Sequence, residues 1–116
     1  KKFIYNNLAN IYIEDNLDTA LIYAEKALEL DKSNASFFDT KGWILCLQED
    51  FESGLSYLRQ AHALNSNSLT NQYHIAYSLN KLGRESEAKE TLNTILNVKR
   101  EFEEQNNAQL LLDSLQ

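Results

Sequence analysis

The feature that most restricts this chain is a period. The stretches "NNLANIYIEDNLDTALIYAEKALELDKSN", "DTKGWILCLQEDFESGLSYLRQAHALNSN" and "YHIAYSLNKLGRESEAKETLNTILNVK" can be laid over one another. Small residues recur at Ala9, Gly42 and Ala76, and again at Ala20, Gly54 and Ala88. Large apolar residues recur at Tyr12, Leu45 and Leu79, and at Leu30, Leu64 and Val98, and a further column holds Ala27, Ala61 and Ile95. The spacing is 34 residues, except for 33 across the first step in the columns before Ala20. That one-residue deficit falls in "EDNLD", where a turn can absorb it. Repetition at this length means stacked supersecondary units, each unable to bury its apolar face alone.

Within each unit, two apolar stripes at i, i+3, i+4, i+7 spacing flank a short polar break, which reads as a pair of helices. The expected helices are 3–14 and 17–31, 35–48 and 51–64, and 69–82 and 85–98. A seventh, over 102–115, aligns Leu111, Leu112 and Leu115 along one side. Asp50, and Ser33 or Asn34, fit N-caps, and Gly83 fits a helix-ending residue of positive φ. Gly42 and Gly54 sit inside helices, where glycine costs about 1 kcal/mol relative to alanine. Their columns place them opposite each other in an antiparallel pair, so a close approach of two backbones offsets that loss. The expected architecture is an all-α superhelix of three helix-turn-helix repeats, about 1–34, 35–68 and 69–101, closed by a capping helix over 102–116. The whole forms one domain.

These columns resemble those of the tetratricopeptide repeat family. The family's pattern maps to Tyr5, Leu8, Ala9, Tyr12, Ala20, Ala24, Ala27 and Lys32 in the first unit. In the second it maps to Phe38, Lys41, Gly42, Leu45, Gly54, Leu58, Ala61 and Ser66, and in the third to Gln72, Ile75, Ala76, Leu79, Ala88, Leu92, Ile95 and Arg100. Departures are the missing closing prolines, Lys41 in place of an apolar residue and Ala24 in place of an aromatic. A narrower likeness links the second and third units and the final helix to the carboxy-terminal ends of long bacterial repeat proteins, including lipoproteins associated with exosortase sorting. That likeness implies a bacterial origin, in the cytoplasm or the cell envelope. The chain opens with "KKFIYNN" and no methionine, which reads as a fragment of something longer.

A net charge of −6 argues against a nucleic-acid surface, which needs a basic stripe. No apolar run approaches a membrane span. Cys46 is the only cysteine, so no disulfide framework exists. The acidic clusters "EDNLD" and "QEDFE" lack the alternating oxygen ligands and central glycine of a calcium loop, and they fit carboxylates at helix N-termini. His62, His74 and Cys46 have no zinc spacing. No orienting carboxylate or oxyanion loop is evident for a Cys46–His74 nucleophile. Neither a cofactor nor a metal nor catalysis is expected.

In a curved stack of helix pairs, the first helices line the inner surface. Their positions not consumed by packing are Asn6, Asn10 and Ile13; Asp39, Trp43 and Cys46; and Tyr73, Tyr77 and Asn80. Each set shares one helical face. Amides can hydrogen-bond a peptide backbone, and aromatic rings give large contact area at small entropic cost. The expectation is a groove for an extended peptide or a partner helix. The alternative at Trp43, Tyr73 and Tyr77 is that they pack against one another and the terminal helix. The family resemblance implies a carboxylate clamp only at Asn10; the other matching places hold Asn6, Thr40, Thr70 and His74, none a fixed cation. Capture of a free acidic C-terminus is therefore not expected. A rival role is structural: the end of a longer array, with Phe3, Ile4 and Tyr5 on an exposed edge able to pair with a second copy.

Overall fold

The computed structural model describes residues 1–116 and contains seven helices: α1 (Lys2–Tyr12), α2 (Leu17–Leu30), α3 (Ala35–Leu47), α4 (Phe51–Leu64), α5 (Leu69–Lys81), α6 (Glu85–Leu96) and α7 (Gln105–Ser114). Consecutive helices pack as antiparallel pairs, and each second helix also packs against the first helix of the next unit. The stack is elongated, 41 × 27 × 21 Å. No helix is long and apolar enough to cross a membrane.

Four of the seven helices, α2 to α5, start on side-chain caps. Asn16, Asn34, Asp50 and Ser68 each accept a hydrogen bond from the backbone N–H three residues on, at 3.1, 3.1, 3.4 and 3.1 Å. Each satisfies one of the orphan donors of a helix N-terminus. Between Ser33 and Asn34, the cap is Asn34.

The one-residue deficit has a backbone cause. In the second and third units the first helix ends on a left-handed residue, Glu49 at φ 67° and Gly83 at φ 81°. The next N–H then reaches back five residues, Asp50 to the Leu45 carbonyl and Arg84 to that of Leu79, both at 2.9 Å. This is the hydrogen bond of a Schellman turn. In the first unit Asn16 N–H instead bonds the Tyr12 carbonyl, four residues back, at 2.8 Å. That turn is one residue shorter and has no left-handed residue.

Three helix ends differ from the periodic expectation by more than one residue. Helix α1 stops at Tyr12 rather than 14, because Asp15 and Asn16 both donate to the Tyr12 carbonyl. Helix α6 stops at Leu96 rather than 98. A tight turn follows, with Arg100 donating to the Asn67 carbonyl across the unit boundary at 2.8 Å. Helix α7 begins at Gln105 rather than 102, leaving Phe102 outside it, where the ring packs on the core of the third unit.

The small-residue columns lie in the seams between paired helices, where Ala9, Ala20, Ala76 and Ala88 have no exposed surface. At Gly42 an added Cβ would sit 2.8 Å from Leu58 Cγ and 2.9 Å from the Gly54 carbonyl oxygen. At Gly54 it would sit 2.5 Å from Cys46 Sγ and 2.9 Å from the Gly42 oxygen. The two glycines face each other, so α3 and α4 approach more closely than alanine allows. By contrast, the recurring Leu30, Leu64 and Val98 are largely exposed. Leu30 and Leu64 end α2 and α4, and Val98 lies in the turn two residues past α6. Helix α7 covers the third unit with Ala108 and Leu112, buried against Leu69, Tyr73, Ala76, Leu92 and Ile95.

Candidate functional site

The first helices α1, α3 and α5 touch one another as well as their own partners, so they form one continuous wall. Trp43 of α3 stands at its centre. Its indole lies parallel to the His74 imidazole, with centroids 4.0 Å apart and 14° between planes. Tyr77 meets it edge-on at 5.0 Å, and Tyr73 is tilted against it at 6.2 Å. Phe51 extends the cluster beyond Tyr77 at 6.5 Å. Trp43 also touches both apolar clusters of the second and third units, as does Leu115 just past α7. The aromatic residues therefore do pack on one another and beside the end of the chain. Even so, Trp43 and Tyr77 stay only half-buried.

Residues on this wall fall into two groups. Asn10 is exposed, its Nδ2 donating to the Asn6 carbonyl at 3.0 Å. Ile13, Asp39, Trp43, Tyr77 and Asn80 are half-buried and present part of their surface. Asn6 and Tyr73 are buried, at 9% and 7% exposure, and form the backing of the wall rather than its surface. Burial pushes the Tyr73 phenol up to about 12, with smaller contributions from Glu104 and Tyr77.

Cys46 is not on the wall. It is 1% exposed, and its sulfur fills the space beside Gly54. Burial, then the charges of Asp39 and Asp50, push its thiol up to about 12. A thiol held protonated in a helix seam is no nucleophile.

The reading of the residues missed one feature, a polar network between units. His74 Nδ1 lies 3.0 and 3.2 Å from the two carboxylate oxygens of Asp39, and Asn71 Nδ2 donates to Asp39 Oδ1 at 2.8 Å and to the Leu58 carbonyl at 3.1 Å. An orienting carboxylate for His74 thus does exist, contrary to expectation, but the imidazole is paired with it and stacked on Trp43, with Cys46 turned elsewhere. The signal was available: Asp39 and His74 are one period plus one residue apart, which puts them on adjoining first helices. Lys81 Nζ lies 5.6 Å from the Tyr77 ring centroid, a cation at the end of the aromatic row.

The fold and this wall define a tetratricopeptide-like helix-pair repeat protein. The first TPR of Spaghetti (RPAP3) bound to HSP90 peptide SRMEEVD is similar, with TM-score 0.86 and 19% identity over 99% of this chain and 92% of that one. The Arabidopsis OM64 TPR domain gives 0.87 at 13% identity, over 99% and 93%. The Yersinia enterocolitica type III secretion translocator chaperone SycD gives 0.84 at 18% identity, over 98% and 90%. The chain belongs to the family described as anaphase-promoting complex, cyclosome, subunit 3, whose model matches residues 14–95. No curated protein matches it.

Proposed function

We propose that the chain is a protein-interaction module that holds a peptide segment or partner helix along the wall formed by α1, α3 and α5, and performs no chemistry. The carrying observation is the half-exposed pair Trp43 and Tyr77, on adjacent helices and 5.0 Å apart, flanked by Ile13, Asn80 and the exposed Asn10. Rigid aromatic rings beside amides give contact area and backbone hydrogen bonds together. Asn6 and Tyr73 act from behind this surface.

The fold is shared with a domain bound to the acidic peptide SRMEEVD, yet the chemistry here points elsewhere. The wall offers the carboxylate of Asp39 where an acidic ligand needs a cation, and His74, one of the matching clamp positions, is already engaged by it. SRMEEVD should therefore fail to bind at millimolar concentration.

The test is a peptide selected from a random-sequence display library, measured against the native chain and against the Asn10→Ala, Tyr77→Ala double variant. Asn10 is exposed and Tyr77 packs only at the edge of the core, so helix content is expected to persist while affinity falls at least tenfold. Equal affinity for both proteins would overturn the groove.

A second reading is favoured by α1, where Phe3, Ile4 and Ile11 are 60%, 61% and 64% exposed. As the closing part of a longer array, the chain would self-associate through that edge. Light scattering over a range of concentrations should then show a dimer that Ile4→Glu abolishes. The likeness to the closing units of long bacterial repeat proteins rests on the residues alone and bears on origin and compartment rather than on binding.

A further inference from the structure

A pocket of about 240 Å³ lies between the start of α3, the end of α4 and the start of α5. Its polar lining is Ser36, Asp39, Asn65, Ser68, Thr70 and Asn71, and it is more enclosed than the cleft between α4 and the turn that joins α5 to α6. The Asp39 carboxylate is the only full charge in the lining, which contains no lysine or arginine. There is room for a side-chain head group rather than a single water.

The donors that hold Asp39 come from α5 alone: Asn71 Nδ2 on Oδ1, and His74 Nδ1 across both oxygens. The carboxylate is fixed in place, 19% exposed, and retains lone-pair capacity beyond these donors. Asn71 carries an acceptor as well. Its Nδ2 faces two groups that only accept, Asp39 and the Leu58 carbonyl, which settles the amide's orientation. The other end, Oδ1, is buried without a donor. An unpaired buried acceptor is costly; this one lies behind the pocket wall, with no accessible surface. Asn65 is the C-cap of α4, so the negative end of that helix borders the same space, opposed by the positive ends of α3 and α5 at Ser36 and Ser68.

We propose that this pocket receives the cationic head of an arginine or lysine side chain carried by the segment in the groove. The inference rests on the groove reading, since Asp39 and Trp43 are one turn apart on α3 and one segment can reach both. A guanidinium is the better fit, because its planar fork of N–H donors matches the remaining lone pairs of the Asp39 carboxylate. The chain's net charge of −6 steers basic partners toward the site.

The test is a two-dimensional NMR titration of the isotope-labelled chain with N-acetylarginine amide, its neutral isostere N-acetylcitrulline amide, and N-acetylglutamate amide. Arginine should give saturable shifts at Ser36, Asp39 and Asn71, weakened by added salt. Citrulline should bind at least tenfold more weakly, and glutamate should leave these signals unmoved. Asp39→Asn keeps an oxygen for Asn71 and His74 but removes the charge, and should weaken arginine at least tenfold. Ser36→Lys places a competing cation three residues before an intact Asp39, and should block the site even if Asp39→Asn proves unstable.

Equal response to citrulline, or no saturable arginine shift, would overturn the proposal. So would a response to glutamate instead, which would mean that the N–H groups at the starts of α3 and α5 set the preference. The two failures are separable. A library peptide that depends on Asn10 and Tyr77 but not on its own basic residue or on Asp39 would leave the groove standing and remove the pocket. Arginine shifts in the pocket, with library peptides indifferent to Asn10 and Tyr77, would do the reverse.

Discussion

Gly54→Ala is the perturbation that probes the packing most sharply. In an open helix the change is stabilising by about 1 kcal/mol, because alanine is the better helix former. Here the new Cβ would lie 2.5 Å from Cys46 Sγ, 2.9 Å from the Gly42 carbonyl oxygen and 3.1 Å from Cys46 N. Ordinary contact distances are about 3.5–4.0 Å. Two of the three neighbours are backbone, so α3 must shift relative to α4 and no rotamer change suffices. Overpacking of this kind costs about 1–3 kcal/mol. Set against the propensity gain of about 1 kcal/mol, the steric cost leaves an expected net loss of up to about 2 kcal/mol. In urea titrations followed by circular dichroism this appears as a lower midpoint with an unchanged slope. In thermal melts each 1 kcal/mol of that loss corresponds to a drop of about 4–8 °C. Adding Cys46→Ala removes the sulfur but not the Gly42 oxygen, so only part of the loss should return. If Gly54→Ala raised the midpoint instead, the two helices would not approach as described.

Further expectations concern turns and alkaline pH. Glu49 holds a left-handed φ of 67°, which costs an L side chain about 1 kcal/mol. Glu49→Gly should therefore stabilise by about 0.5–1 kcal/mol, and Gly83→Ala should destabilise by about the same amount in the equivalent turn; equal melting temperatures for all three proteins would refute it. Asn34→Ala removes the cap of α3 and should cost about 1 kcal/mol in the same melts, whereas an unchanged midpoint would show that the cap contributes nothing. Burial first of all pushes the pKa values of Cys46 and Tyr73 up to about 12, from ordinary values of 9.0 and 10.0. The unfolded chain ionises first, so the native state binds more protons between those limits, and stability should fall as pH rises from about 9 to 12. Stability that stayed level between pH 9 and 11 would contradict this.

The fold was legible because close packing writes itself into the chain at fixed intervals. Only glycine or alanine fits where two helices press together, so Ala9, Gly42 and Ala76, and Ala20, Gly54 and Ala88, advertise the seams. Caps were readable at Asn34 and Asp50 for a similar local reason. Helix ends were less so. The stop at Leu96 is set by a turn that Arg100 ties to Asn67 of the preceding unit, and no local pattern encodes that bond.

The site shows the same division. Helical spacing placed Asn10, Trp43 and Tyr77 on first helices, but exposure depends on what covers each position. Asn6 and Tyr73 lie one turn earlier on the same helices, in the column of Asp39, and are buried, Tyr73 within the cluster to which α7 contributes Ala108 and Leu112. Cys46 follows Trp43 by three residues yet turns into the seam, because Gly54 leaves space for its sulfur. Periodicity within a helix does not reveal pairs such as Asp39 and His74. They come together only when units are compared across the stack.

The most direct measurement is an NMR shift map of the chain saturated with a peptide drawn from a random-sequence library. If α1, α3 and α5 form the binding wall, the shifts fall on Asn10, Ile13, Trp43, Tyr77 and Asn80, and the Trp43 indole signal moves with them. Shifts confined to α2, α4 and α6, with the Trp43 indole unmoved, would place recognition on the opposite face and contradict the proposed function.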